Sequence, residues 1–200
     1  MVPFENVVEP TSGEFLVGFT DLRAFFRVAK SLGSSAMIFV FMNRLAHTMD
    51  SVVTESRGRT IKYIGDGALI VHPGEEADGG IRNLMRLKDT VDAHMEDCGH
   101  GSRLTVYGNF GEVTIGPFAS DRRLDIYGET VNRAAVAQAN DRRSHFVITP
   151  EAFRRRAPRP RPGSCRQPAR RRYVPTRRTR ALSRRSPLSA RSSRSRCSPT

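Results

Sequence analysis

An abrupt change in composition near Arg154 most constrains what this chain can fold into. From that residue to Thr200 the chain has 17 arginines, many prolines and serines, and no Lys, Asp or Glu. Hydrophobic periodicity is lost there, so this stretch buries too little apolar surface to offset the entropy of ordering. The sequence therefore predicts one folded domain over residues 1–153 and a disordered Arg/Pro/Ser-rich tail over residues 154–200.

The same change decides how the net charge of +13 is interpreted. Only 16 of the 33 Lys and Arg residues precede Arg154, where all 20 acidic residues lie, so the predicted domain is mildly acidic. Nucleic-acid binding by the tail would be salt-sensitive, and we expect it to be incidental.

The longest apolar run, Ala36 to Met42, is far shorter than the roughly 20 residues of a membrane span. No signal sequence is apparent, and a cytoplasmic location is expected.

Hydrophobic patterning predicts alternating strands and helices up to Pro150. The strands are predicted at Phe15–Thr20, Arg59–Ile64, Ala68–His72, Arg103–Tyr107, Glu112–Ile115 and Phe146–Ile148. Apolar residues recur at helical spacing from Leu22 to Glu55, with a break at Gly33–Ser35, and helices are also predicted from Ala77 to Cys98 and from Gly128 to Ala139. A second hairpin is expected around Gly108–Gly111. This order predicts an α+β fold with an antiparallel or mixed sheet and helices on one face.

Three segments in this order resemble the class III nucleotidyl cyclase family: Phe19–Phe25, Lys62–Gly67 and Asp125–Asn132. The resemblance covers about residues 14–150. It implies a ferredoxin-like βαββαβ cyclase domain that converts ATP to 3′,5′-cyclic AMP and pyrophosphate in intracellular signalling. It also implies that the usual C-terminal strands, with their phosphate-binding lysine, are missing, because the arginine-rich tail occupies their place.

Asp21 and Asp66 match the two metal-binding aspartates of this family. Asp21 ends the first predicted strand, and Asp66 lies at the tip of the first predicted hairpin. Cyclisation requires an activated 3′-hydroxyl and a neutralised pyrophosphate, and two Mg²⁺ (or Mn²⁺) ions per site held by carboxylates supply both. The alternative for either residue is an ordinary turn or cap aspartate.

Lys62 and Asp125 match the pair that recognises the purine in adenylyl members of the family. Adenine presents an acceptor at N1 and a donor at N6, which suit a lysine and an aspartate, whereas guanine presents the opposite pattern. The backbone N–H groups of Ala24 and Phe25, where a helix begins after Asp21, are expected to face the triphosphate. Family members commonly have a glycine and a hydroxyl residue in this turn, where this sequence has Ala24 and Phe26.

Asn132 matches the family asparagine that orients the ribose. The family arginine expected four residues later is replaced by Val136, and Arg133, one helical turn before it, is the candidate substitute. The alternative for Arg133 is a solvated helix residue.

Family members combine metal and purine residues from opposite subunits, so the resemblance implies a homodimer with two equivalent sites. The competing interpretation is a degenerate cyclase domain that serves as a nucleotide-binding or dimerisation module with little turnover.

Overall fold

The computed structural model describes residue 4, residues 7–140 and residues 144–156. These residues form one mixed sheet with α-helices on both of its faces. The strands are β1 (Thr11–Leu22), β2 (Arg59–Ile64), β3 (Gly67–Pro73), β4 (Leu104–Phe118), β5 (Arg123–Tyr127) and β6 (Phe146–Ile148). The helices are α1 (Phe25–Leu32), α2 (Ser35–Thr54), α3 (Ala77–Asp97), α4 (Glu129–Asn140) and α5 (Pro150–Arg156).

The sheet has the order β2-β3-β1-β4-β5, and β6 pairs with β4 beside β5. All strand pairs are antiparallel except β4 with β6, which is parallel. The α+β fold with a mixed sheet is therefore confirmed. Within the described ranges, no helix is both long enough and apolar enough to cross a membrane.

Side chains that alternate along β1 divide between two hydrophobic cores, as the two-residue period of a strand requires. One core, which we call the α2/α3 core, contains α1, α2, α3 and α5 side chains against one sheet face; its members include Leu16, Leu22, Val28, Leu45, Met49, Ala68, Ile70, Ile81, Leu84, Leu104, Val106 and Ala152. The other, the α4 core, includes Phe15, Val17, Phe19, Leu69, Val71, Val113, Ile115, Ile126 and Ala134. Four helices thus share one face as expected, whereas α4 departs from that arrangement.

The predicted break in the long helical region is confirmed. Helix α1 ends at Gly33, which adopts a φ of +76° that favours glycine. The next helix begins after Ser34, whose Oγ accepts a hydrogen bond from the Met37 N–H at 3.3 Å. A serine in this position satisfies one of the unpaired N–H groups of the first helical turn. The two helices therefore follow the local signals of the sequence.

The predicted second hairpin around Gly108–Gly111 is wrong, because β4 runs unbroken from Leu104 to Phe118. Its glycines permit close packing instead of a turn. A Cβ atom on Gly111 would lie 2.6 Å from Thr130 Oγ1 of α4, and one on Gly108 would lie 3.1 Å from Ile148 Cγ2 of β6. Glycine inside a strand commonly marks such an approach.

Helix α5 extends the ordered domain three residues beyond the predicted boundary at residue 153. Arg155 lies 4.3 Å from the centre of the Phe110 ring, and its Nη2 donates to both Glu14 carboxylate oxygens at 2.8 and 2.9 Å. These contacts fasten α5 to the sheet. The rest of the predicted tail lies outside the described residues, so its disorder stays a prediction.

Candidate functional site

Asp21 and Asp66 are brought together where β1 ends beside the β2–β3 turn. Asp66 Oδ2 accepts a hydrogen bond from the Leu22 N–H at 3.2 Å, which fastens the turn to the end of β1. The turn comes so close that a Cβ atom on Gly67 would lie 2.0 Å from the Thr20 carbonyl oxygen. Any other residue at position 67 would push the turn away, so this glycine is required for the two carboxyl groups to be neighbours.

Both carboxyl groups have raised pKa values, and the causes favour a bound cation. Burial raises the pKa of Asp21 most, and the negative charge of Asp66 raises it further. Burial also raises the pKa of Asp66, although hydrogen bonds from its own N–H and that of Leu22 oppose the shift. Two half-buried carboxylates that repel one another fit a divalent cation, which would relieve both the desolvation and the repulsion.

Only these two carboxylates come together here. Across the part of the chain that the structure describes, no group of three or more His, Cys, Asp or Glu side chains forms a potential metal site. Magnesium is often bound by one or two carboxylates together with substrate phosphates and water. The donor set therefore fits a metal that arrives with a phosphorylated substrate.

The turn after Asp21 contains a strained residue. Ala24 precedes α1 with φ 55° and ψ 34°, the left-handed region that costs a residue with a Cβ atom about 1 kcal/mol. The neighbouring backbone is held in place, because the Arg23 carbonyl oxygen accepts from Ser102 Oγ at 2.6 Å and the Arg23 N–H donates to the Arg103 carbonyl at 2.9 Å. The chain thus turns sharply from Asp21 into α1, and Phe25 is the first helical residue.

Lys62 and Asp125 meet even though they lie on opposite edge strands of the sheet path. Lys62 Nζ lies 2.7 Å from Asp125 Oδ2, and the Asp125 side chain is 12% exposed while that of Lys62 is 42% exposed. The sheet curls around the α4 core, which includes Ile126 of β5 and is contacted by Ile61 of β2. The curvature brings the two edges together.

Asn132, Arg133 and Val136 line one open groove of about 520 Å³. Asn132 is exposed in the first turns of α4. Arg133 is also exposed, and its Nε lies 3.8 Å from Glu129 Oε1 on the same helix. Val136 is 58% exposed, so its side chain is not part of either core.

A buried asparagine that the sequence did not single out connects this helix to β4. Asn109 Nδ2 donates to the Thr130 carbonyl at 2.9 Å, and Asn109 Oδ1 accepts from Thr149 Oγ1 at 2.8 Å. Thr130 Oγ1 in turn donates to the Glu112 carbonyl at 2.8 Å. These bonds fix the start of α4, and therefore the position of Asn132. The sequence signal was a polar residue, Asn109, between Gly108 and Gly111. That pattern predicts a turn as readily as it predicts a buried hydrogen-bond network.

Two further residues near the site were also missed. Gln138 Nε2 of α4 donates to the Thr20 carbonyl oxygen at 3.3 Å, beside Asp21. Tyr63, which follows Lys62, donates its hydroxyl toward α2. Neither residue had a distinguishing pattern, because each contact joins distant parts of the chain. Within the described residues, no hydrogen bond or ion pair joins the Asp21–Asp66 pair to the Lys62–Asp125 pair.

Both a family model and solved structures are similar to this chain. The family model for the adenylate and guanylate cyclase catalytic domain matches residues 7–158. The fold is similar to the adenylyl cyclase CyaB from P. aeruginosa, with a TM-score of 0.66 and 18% identity over 74% of this chain and 82% of that one. No curated protein matches the chain in sequence.

Structures of both cyclase types have similar folds. A bacterial light-regulated adenylyl cyclase has a TM-score of 0.65 and 20% identity, and the match covers 74% of this chain and 46% of that protein. The guanylyl cyclase domain of the RhoGC fusion protein from the aquatic fungus Blastocladiella emersonii has a TM-score of 0.63 and 19% identity, over 74% and 88% of the two chains. At this identity the likeness establishes the fold and leaves the purine open.

Proposed function

This chain belongs to the adenylate and guanylate cyclase catalytic domain family, and from this premise we propose that it is an adenylate cyclase. The family is that of the class III nucleotidyl cyclases, whose reaction is of the lyase type. The proposed reaction converts ATP to 3′,5′-cyclic AMP and pyrophosphate in intracellular signalling.

The Lys62–Asp125 pair is the observation that carries the preference for ATP. In the proposed complex, the ammonium group donates to adenine N1 and the carboxylate accepts from the N6 amino group. The 2.7 Å contact supports this assignment, because two groups already this close to each other can engage adjacent atoms of one base edge. Guanine would present a donor to Lys62 and an acceptor to Asp125, and both contacts would be unfavourable.

Asp21 and Asp66 are the proposed ligands of Mg²⁺ or Mn²⁺, with two ions at each site. Bound metal would lower the pKa of the 3′-hydroxyl and neutralise the charge on the departing pyrophosphate. The protein contributes the shared position of the two carboxylates, held by the Leu22 N–H and the close approach at Gly67. The backbone of Ala24 and Phe25 is proposed to hold the triphosphate near them.

We further infer that the working form is a homodimer. The metal pair and the purine pair would come from different copies, and a two-fold axis would generate two equivalent sites. Apolar side chains beside the metal pair support this arrangement. Ile64, two residues before Asp66, is 52% exposed, and Phe26 of α1 is 78% exposed. A second copy covering them would remove this apolar surface from water.

The second candidate function is a nucleotide-binding or dimerisation module with little turnover. Val136 favours it, because the groove that Asn132 lines has no arginine at the family position. Arg133 is proposed as a phosphate-stabilising residue, but it lies beside Glu129 in the structure. The two candidates agree on the fold and on nucleotide binding, and they differ in the rate of turnover.

A turnover assay on the purified full chain tests the proposal. Cyclic AMP and cyclic GMP are quantified after incubation with ATP or GTP and Mg²⁺ or Mn²⁺. Asp21→Ala and Asp66→Ala should abolish product formation, whereas Asp97→Ala, which removes an exposed carboxylate from the end of α3, should not. Activity within twofold of the parent in either metal-site variant would contradict the proposed metal ligands. Nucleotide binding without product in the parent would favour the module.

A further inference from the structure

A β-bulge lies immediately before Lys62. Thr60 pairs with Ile70, but Lys62 pairs with Leu69, so Ile61 is an extra residue in β2. In a bulge, two residues of one strand oppose one residue of its partner, and the faces of all later side chains are exchanged. Without the extra residue, Lys62 would lie opposite Ala68 and point to the other side of the sheet.

The bulge therefore decides which side of the sheet Lys62 faces. Directly paired residues share a face, and Leu69, the partner of Lys62, belongs to the α4 core. Ala68, the partner of Tyr63, belongs to the α2/α3 core. Lys62 thus faces the α4-core side, from which its Nζ reaches Asp125 Oδ2 at the sheet edge, and Tyr63 faces α2. The orientation of one residue fixes that of the other.

Tyr63 is fastened to α2 by its hydroxyl group. The hydroxyl oxygen lies 2.9 Å from the Ala46 carbonyl and 2.8 Å from Asp50 Oδ1, and both act as acceptors. Burial raises the pKa of Tyr63, and the hydrogen bond to Asp50 and its negative charge raise it further, so the hydroxyl keeps its proton. The contact joins an edge strand to a helix whose Leu45 and Met49 side chains are buried in the core.

No strand pairs with the outer edge of β2 in the described part of the sheet. The register of β2 thus depends on its pairing with β3 and on contacts with α2 and with β5. The bulge interrupts that pairing between Thr60 and Lys62, so the strand is least constrained just where the lysine lies. An anchor at the next residue supplies the missing constraint.

We propose that Tyr63 is a positioning residue for purine recognition: its hydrogen bonds to α2 hold the β2 register that directs Lys62 to Asp125. The inference rests on the proposed function and extends it, because it identifies how the base-reading lysine is oriented. Tyr63 touches no reacting atom in this scheme and acts only through Lys62.

Removing the hydroxyl alone tests the role in recognition. Tyr63→Phe should raise the KM for ATP about five- to tenfold, lower the ATP:GTP ratio of kcat/KM, and leave kcat within twofold. Asp50→Ala should change the same quantities in the same direction, whereas Asp50→Asn, which keeps an acceptor oxygen, should preserve most of the preference. Thr48→Val is the matched control, because it removes an α2 hydroxyl whose hydrogen bond goes only to the Arg44 carbonyl.

Two kinetic outcomes would overturn the proposal. One is an unchanged KM and an unchanged ATP:GTP ratio in Tyr63→Phe. The other is an equal loss of kcat/KM for both nucleotides, which would make Tyr63 a residue of general stability. A parent chain that forms neither cyclic nucleotide would refute the proposed function instead, so a second measurement must not depend on turnover.

Amide hydrogen exchange supplies that measurement. In Tyr63→Phe, exchange should accelerate at least tenfold in β2, Arg59–Ile64, while exchange in α3 stays unchanged. The Thr48→Val control should leave both regions unchanged. Unaltered exchange in β2 would show that the hydroxyl does not hold the strand, and the positioning role would be wrong whether or not the chain is a cyclase.

Discussion

The position of Val136 in the groove predicts that one substitution will accelerate the reaction. Residues four apart on a helix lie about 40° apart around its axis and one turn along it, so position 136 shares the face of Asn132. Both residues line the same groove. At 58% exposure Val136 contributes little packing, and Val136→Arg should change the free energy of unfolding by less than about 0.5 kcal/mol.

The expected gain follows from the charge that a new arginine would meet. A fixed donor aimed at charge in the transition state is commonly worth about 10² to 10³ in rate, or about 2.7 to 4 kcal/mol. Side-chain entropy and solvent exposure reduce this figure, so we expect at least a tenfold increase in kcat for Val136→Arg. The KM for ATP should change less, because the donor acts on charge that develops during cyclisation.

Arg133→Ala is the companion variant, since Arg133 is the candidate substitute donor. It breaks only the exposed 3.8 Å contact with Glu129, worth less than about 0.5 kcal/mol to stability. An unchanged rate in Arg133→Ala and a faster one in Val136→Arg would assign no catalytic role to Arg133. Loss of most activity in Arg133→Ala, restored in the double variant, would make Arg133 the substitute. Single-turnover assays of cyclic AMP formation measure both, and a parent rate unaffected by either change would refute the reasoning.

Three other predictions follow from the structure. Burial lowers the pKa of His72 to about 4, so the unfolded chain takes up a proton first as the pH falls. The His72 contribution to the free energy of unfolding in urea should therefore drop by about 2 kcal/mol between pH 8 and pH 5, and a pH dependence that is the same in His72→Gln would contradict the burial of His72. Mixing Asp21→Ala, which should be inactive, with Asp125→Ala, which should be impaired, should raise cyclic AMP formation above that of either variant alone if sites form between two copies, and a mixture no more active than its components would argue against the dimer. Ala24→Gly should raise the thermal midpoint or leave it unchanged because it relieves a left-handed φ, while Ala93→Gly, an exposed position inside α3, should lower it by a few degrees.

The sequence predicted the elements wherever local signals decide them. Gly33 and Ser34 mark the break between α1 and α2, and the turn containing Asp66 carries the glycines that a tight hairpin needs. These predictions of elements succeeded because turn chemistry and hydrophobic period act over a few residues. The pairs Asp21–Asp66 and Lys62–Asp125 were named from the resemblance to the cyclase family, and their roles stay predictions.

The errors concern contacts between distant segments. Gly108 and Gly111 indicated a hairpin, but β4 continues, because α4 and β6 approach it at those positions. The bulge at Ile61 changes the face of Lys62, and nothing in the local pattern distinguishes it from a regular strand. The curvature that brings β2 to β5 arises only in the assembled sheet.

The ratio of cyclic AMP to cyclic GMP formed from equal concentrations of ATP and GTP tests the central claim most directly. It should be measured with the purified parent and with Lys62→Glu/Asp125→Cys, at the same metal concentration and after circular dichroism has shown equal folding. Each charge-assisted contact to the base is worth about 1.5 kcal/mol or more, so the parent should favour ATP and the variant ratio should fall by about 10²-fold toward GTP. An unchanged ratio of kcat/KM values would contradict the assignment of Lys62 and Asp125 as the purine-recognition pair.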